Sequence, residues 1–362
     1  MGGNALQVKT QRLSAEKYHE LVPQIVGAIR EIFSARAEVI PSFRTKDSFG
    51  DLDIIVEKEK VVLTPEQAEE AKVESIYHQL QEVVSSIFNA REISINGGVL
   101  SFDFRESETD EVGFQVDLIL TPAEIMDASL NYFSYNDLGN LIGRVAHKMG
   151  LTFGHEGLLY PIRSGTHMIG RVLLTRDIDD SLSFLGFDPN RFHQGFETTD
   201  EIFNYVHTSK YFNPGLYLLE NLNHASRTRD KKRKNYNGFL EYIQVNHRED
   251  VFVYPLDKEE WVPMILERYP HASLEIREMK ERADKLAKVH KILAGENLTQ
   301  WTGLVKKDLG VVAKTLREKM GSTLDERIVF IDNTDLETIK QMAQSIGDNV
   351  KKEKEKKMSL KP

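Results

Sequence analysis

There is no cysteine anywhere in the chain, which removes disulfides, thiolate catalysis and cysteine-based zinc or iron–sulfur sites. The eleven histidines show no metal-ligand spacing, so a histidine-built metal site is not expected either. Positive charge is also in short supply. Lys and Arg number 47 against 56 Asp and Glu, a net charge of -9 that excludes a uniformly basic nucleic-acid coat but not a local patch. No apolar run approaches membrane-spanning length. The opening "MGGNALQVK" has no apolar signal core, and Leu6 breaks the myristoylation pattern. These absences lead to an expectation of a cytoplasmic protein with no membrane association. No repeat of solenoid type is present.

What is present is the composition of a globular protein, 40% hydrophobic and 28% charged over 362 residues, enough for two or three domains. Residues 14–33 predict a helix, with Ser14 at its start and Leu21, Ile25, Ile29 and Phe33 at helical spacing. "LDIIVEK" predicts a short strand. Residues 64–89 predict a second helix, capped by Thr64 with Pro65 at the first helical position. Strands are expected at 92–97, 99–107 and 113–120. Residues 1–120 thus predict an α+β domain, a small mixed sheet with helices on one face. Residues 121–222 form a second region that begins helical, ends one helix at Gly150 and continues as short strands, loops and helices. Residues 223–348 predict a helical C-terminal domain. The charged end, 349–362, has no apolar face and predicts a disordered basic tail. Trp261 and Trp301 read as core anchors.

The chemistry is concentrated in "SFRTKDSFGDLDIIV", residues 42–56. Asp51 and Asp53 stand at i and i+2 of a strand, so their side chains point to one face, roughly 6–7 Å apart. Like charges on one strand face repel, and packing does not ask for them. A third acid, Asp117, interrupts the apolar strand "QVDLIL". If the two strands are neighbours, three carboxylates converge, at a cost of several kcal/mol unless a cation sits among them. Two Mg2+ ions, with Mn2+ as an acceptable substitute, suit such oxygen ligands and the attacking and leaving oxygens of a phosphoryl transfer. Ser42, Arg44, Lys46 and the N–H of Gly50 supply a hydroxyl, charges and an amide able to cradle a triphosphate. Farther along, Arg227, Arg229, Lys231, Lys232, Arg233 and Lys234 form a basic run interrupted only by Asp230. It could hold polynucleotide phosphates, with an affinity falling steeply with salt, or be a solvated loop.

These residues resemble the nucleotidyltransferase superfamily, and within it the family X, DNA polymerase beta-like, polymerases. "SFRTK" and "FGDLD" are similar to that family's palm motif, with Pro41 and Ser42 at its Gly-Ser turn. "YFSYNDLGNLIGR" matches its later helix start at Tyr132, Phe133, Asp137, Leu138, Asn140 and Arg144, with Tyr135 where a glycine is usual. "TTDEIFNYV" (198–206) is similar to its thumb segment. The resemblance covers roughly residues 40–215, and about 40 residues precede the motif, too few for that family's lyase and fingers domains. It implies a palm followed by a thumb-like region, Tyr132 and Phe133 against the sugar, Asp137 and Asn140 beside the incoming base, and Arg144 toward a template. More weakly, residues 292–316 look like a helical segment of tRNA nucleotidyltransferases.

The expected function is metal-dependent transfer of a nucleoside monophosphate from a nucleoside triphosphate to a hydroxyl, with Asp51, Asp53 and Asp117 as catalytic metal ligands. The expected acceptor is the 3′ end of a polynucleotide, DNA or tRNA. A protein or small-molecule acceptor, and a catalytically idle nucleic-acid-binding module, are the alternatives.

Overall fold

The computed structural model describes residue 3, residues 5–60 and residues 73–359. It forms two compact units, one of residues 1–160 with 173–268 and the other of 161–172 with 269–362. Both expected divisions, at 120 and at 222, fall inside the first unit.

The first unit is built on a five-stranded mixed sheet. A short strand β1 (Leu13–Ser14) runs into α1 (Ala15–Phe33), where the Ser14 hydroxyl accepts from the Lys17 N–H, the cap expected of it. Next come β2 (Ala37–Val39), β3 (Ser48–Phe49), which pairs with β1, and β4 (Asp51–Glu57). Helix α2 (Val73–Phe88) follows among the described residues; Thr64 and Pro65 lie outside them. Then β5 (Ile93–Asn96), β6 (Val99–Phe104) and β7 (Phe114–Thr121) complete the sheet in the order β2-β4-β7-β6-β5. The chain is therefore α+β, with β4 and β7 parallel and the other neighbours antiparallel.

Strand alternation sorts the sheet into an apolar and a polar face. Leu52, Ile54 and Val56 of β4, Val116 and Leu118 of β7, and Leu100 and Phe102 of β6 form one core with Ile25 and Ile29 of α1 and Val84 and Phe88 of α2. Burial of this layer supplies the main force holding the domain, at about 25 cal/mol per Å2 of apolar surface. The opposite face carries Asp51, Asp53, Asp117 and Gln115 instead, and Ile55 beyond them, fully buried, where α3 (Met126–Phe133) packs on β4.

After α3 come α4 (Leu138–Lys148), β8 (Thr152–Gly154), β9 (Gly157–Ser164) and β10 (His167–Thr175). Gly150 has φ +84, the left-handed conformation expected after a helix C-terminus. Three short helices, α5 (Ile178–Phe184), α6 (Pro189–His193) and α7 (Thr199–His207), lead to α8 (His224–Asp230), α9 (Lys234–Val245) and α10 (Val262–Arg268). Trp261 is buried among Tyr211, Phe252 and Tyr254, a core anchor as expected.

The second unit is mainly helical: α11 (Ser273–Ile292), α12 (Gly295–Thr302), α13 (Lys306–Met320), α14 (Leu324–Asn333) and α15 (Leu336–Ser359). Leu286, Leu298, Val312, Leu316, Ile339 and Ala343 form its core, with Trp301 packed against it. Helix α15 corrects the expected disordered tail. The chain from 349 continues as helix to Ser359, carried onward from a segment whose Ile339, Ala343 and Ile346 are buried, and tied by Lys354 to Asp308 of α13 at 2.7 Å. Among the described residues no helix is long and apolar enough to cross a membrane.

Candidate metal centre and nucleotide site

The three acids come together. In the parallel pair β4–β7, Asp53 lies opposite Asp117 and Asp51 opposite Gln115. One carboxylate oxygen from each of Asp51, Asp53 and Asp117 lies within 4.8 Å of the others, a set able to hold a metal ion. This is the donor chemistry of a hard divalent cation, all oxygen and anionic.

Electrostatics around the trio are those of charge crowded into a half-buried place. Burial pushes the Asp53 carboxyl up to about 7, and the charges of Asp51 and Asp117 push the same way against Lys46. Asp117 is raised as well, mainly by burial, while hydrogen bonds from the Ser101 hydroxyl and the Gln115 amide pull it back. The Gln115 Nε2 is 3.0 Å from both Asp117 oxygens. Lys46 is the cation that faces the trio. Burial lowers its pKa while Asp51 and Asp53 oppose the shift, and its Nζ lies 4.4 Å over the Phe49 ring. Phe49 in turn stacks on Tyr18 of α1 at 3.7 Å.

The other turn residues divide. Arg44 points away from the acids, pairing with Glu197 at 2.5 Å and donating to the Gln194 carbonyl. Lys46, not Arg44, is thus the basic residue of this turn at the trio. The Ser42 Oγ is buried with no hydrogen-bond partner among the described residues. Gly50 is buried immediately before Asp51, and the backbone of Gly3 approaches it so closely that a Cβ on Gly3 would stand 2.4 Å from the Gly50 carbonyl oxygen.

The aromatic pair ends α3. The Tyr132 and Phe133 rings are 5.3 Å apart, with Tyr132 edge-on to Phe153 and Phe133 stacked on His155. Tyr135 has φ +60, and its N–H donates to the Pro41 carbonyl at 2.8 Å, which ties this segment to the turn before the acids. Its backbone adopts the left-handed conformation that glycine takes most easily, where the resemblance has a glycine.

On α4 the structure adds partners that the sequence did not announce. Asp137 pairs with Arg233, the Asn140 Oδ1 accepts from Arg229 at 2.7 Å, and Arg144 pairs with Asp230. Asp230 has no exposed surface and also takes Arg229 at 2.7 Å. The Nδ2 of Asn140 and the Nε of Arg144 are buried without a partner among the described residues. Burial raises the Tyr132 hydroxyl pKa, and the charges of Arg229 and Arg233 oppose that rise.

The basic run is therefore not one strip facing solvent. Arg229 and Arg233 turn onto α4, and Arg227 donates to the carbonyls of Glu220 and Leu222. Lys231, Lys232 and Lys234 stay exposed. Asp230, the single acid that interrupts the run, ties Arg229 of the run and Arg144 of α4 together.

Sequence reading missed Gln115, Ser101 and the leader. Gln115 stands two residues before Asp117 and so shares its strand face, a signal that was there to use. The leader, residues 3 and 5–11, lies along the polar side of the sheet. Gly3 N–H donates to Asp51 at 3.1 Å, Ala5 N–H to Gln115 at 2.9 Å, and the N–H groups of Gln7 and Val8 to Glu92 at 2.8 and 2.7 Å.

No protein-family model and no curated protein sequence matches the chain.

Proposed function

We propose that this protein is a divalent-cation-dependent nucleotidyltransferase with a polymerase-beta-like palm, moving a nucleoside monophosphate from a nucleoside triphosphate to the 3′ hydroxyl of a polynucleotide. The convergence of Asp51, Asp53 and Asp117 beside Lys46 carries the reading. Left without counter-charge, three carboxylates this close are costly; burial first, and the neighbouring acids after it, raise Asp53 and Asp117. Two Mg2+ ions, or Mn2+ in their place, suit the donor set; Asp51 and Asp53 would hold both and Asp117 one. When bound, the ions neutralise phosphate charge and lower the pKa of the attacking hydroxyl.

The chain's own residues do the positioning. Lys46 sets a cation beside the acids, where the oxygens of a triphosphate need one. The Ser42 hydroxyl, without a partner among the described residues, offers a further donor. Following the resemblance, Tyr132 and Phe133 would take the sugar and Asp137 and Asn140 the base side. A base approaching α4 there also meets Arg229 and Arg233. As the hydroxyl oxygen bonds to the α-phosphorus, the bond to the β-phosphate bridging oxygen breaks and pyrophosphate leaves. Orientation and charge neutralisation supply the acceleration. Exposed Lys231, Lys232 and Lys234 favour a polyanionic acceptor.

The test is incubation of the full chain with Mg2+ and each labelled dNTP and NTP, offering primer-template DNA, single-stranded DNA and tRNA in parallel. Incorporation by the wild type that disappears in Asp117→Asn is the expected result. Absence of transfer to every acceptor, with no Mn2+ bound by the wild type, would sink the reading.

A further inference from the structure

Gln115 is 2% exposed and lies opposite Asp51 in the β4–β7 pair, two residues before Asp117 on the same strand face. Its side-chain amide has one oxygen and one nitrogen, and which end faces Asp117 decides whether the contact attracts or repels. The orientation is set from outside the sheet. Ala5 N–H, a donor with no alternative role, points at the Gln115 Oε1 at 2.9 Å. That bond assigns the oxygen to the leader and turns Nε2 to Asp117, 3.0 Å from both carboxylate oxygens. A reversed amide would set N–H against N–H on one side and oxygen against carboxylate on the other.

The leader is itself anchored. Glu92 Oε2 accepts from Gln7 and Val8, and the Gln11 N–H donates to the Gly113 carbonyl at 2.9 Å. The N–H of Glu92 in turn donates to Asp103 at 2.9 Å; Asp103 has no exposed surface and lies opposite Gln115 on β6. A continuous chain of hydrogen bonds thus runs from Asp103 through Glu92, the leader backbone and Gln115 to Asp117. At its near end the leader also touches Asp51 through the Gly3 N–H.

We infer that Gln115, oriented by the Ala5 amide of the leader, is a positioning residue for the cation site: it holds the Asp117 carboxylate in place, so that the N-terminal segment is part of the metal centre. This rests on the reading of the three acids as a cation site. Groups that orient a ligand from behind affect metal affinity by about 10–100-fold when removed.

The test measures Mn2+ dissociation constants by electron paramagnetic resonance on the full-length protein, without nucleotide, for the wild type and four variants. Gln115→Ala removes the amide. Ala5→Pro, at an exposed position, removes the N–H that orients it and also fixes φ there, and Ala5→Gly keeps that N–H. Asp117→Asn reports on the cation site itself. The expected result is Mn2+ binding weakened about 10-fold in both Gln115→Ala and Ala5→Pro, with Ala5→Gly at the wild-type value and native far-UV circular dichroism in every variant. Should Gln115→Ala and Ala5→Pro bind Mn2+ as the wild type does while Asp117→Asn does not, Gln115 is structural only and the inference is overturned alone. Should the wild type fail to bind Mn2+, or Asp117→Asn bind it equally well, the cation reading falls and takes this inference with it.

Discussion

Asp53 of β4 and Asp117 of β7 face each other in register on neighbouring parallel strands. With Asp51 two residues earlier on the same face, they bring three half-buried carboxylates within 4.8 Å of one another. The protein sustains this arrangement with Lys46, Ser101 and Gln115, and its consequences can be measured.

Asp51→Asn and Asp117→Asn each remove one anionic oxygen from a shared site. Both are expected to reduce the proposed nucleotidyl transfer by about 100- to 1,000-fold, since charge stabilisation of this kind is usually the largest single contribution to catalysis. Far-UV circular dichroism should stay native, because Asn keeps the shape and removes a repulsion. Transfer at a wild-type rate in either variant would refute the assignment.

The acids should also make stability depend on pH. Asp53 is held at about 7 in the folded chain, against about 3.9 for an unfolded aspartate. Between those values the native state binds more protons than the unfolded state, so stability falls as pH rises from about 4 to about 7, and the penalty is complete above that. With EDTA present, Tm should therefore be lower at pH 8 than at pH 5, and Asp53→Asn should flatten that difference. Millimolar Mn2+ should raise Tm at pH 8 in the wild type but not in Asp53→Asn. Equal pH slopes for wild type and variant in differential scanning fluorimetry would show that Asp53 is not the group responsible.

Asp230→Ala should be far more damaging than its place in a basic run suggests. It would leave Arg144, only 12% exposed, without its carboxylate partner and leave Arg229 held only through Asn140. Breaking a buried pair from one side costs about 3–5 kcal/mol. Urea unfolding would report that loss, and a cost under about 1 kcal/mol would mean the pairs are solvated.

Replacing Lys231, Lys232 and Lys234 together with Gln should spare the fold, since all three are exposed. If they contact phosphates, the slope of log K against log salt for a single-stranded oligonucleotide should become shallower by about 2, at roughly 0.7 per contact. Fluorescence anisotropy across a salt series decides it, and an unchanged slope would leave these lysines outside the acceptor path.

Much of the local structure was legible because it is written in short-range patterns. Helical spacing and the Ser14 hydroxyl defined α1, and alternation identified β4 through β7 and put Asp51 and Asp53 on one face. Less legible were features whose partners lie far along the chain. The charged C-terminal segment looked unable to fold because its own composition offers no apolar face, whereas it extends a helix already anchored by buried residues upstream. The basic run looked like one surface because sequence order does not say which way an arginine turns.

By itself, then, the sequence determined which residue types are available and which strand or helix face each occupies, since φ, ψ and side-chain periodicity are local properties. Only tertiary structure decided that β4 and β7 are parallel neighbours in the register that brings Asp117 to Asp53, that Lys46 rather than Arg44 faces them, and that the leader's amides reach Asp51 and Gln115. Strand order, register and side-chain pairing across long separations are settled by burial of the whole core, and no local pattern encodes that.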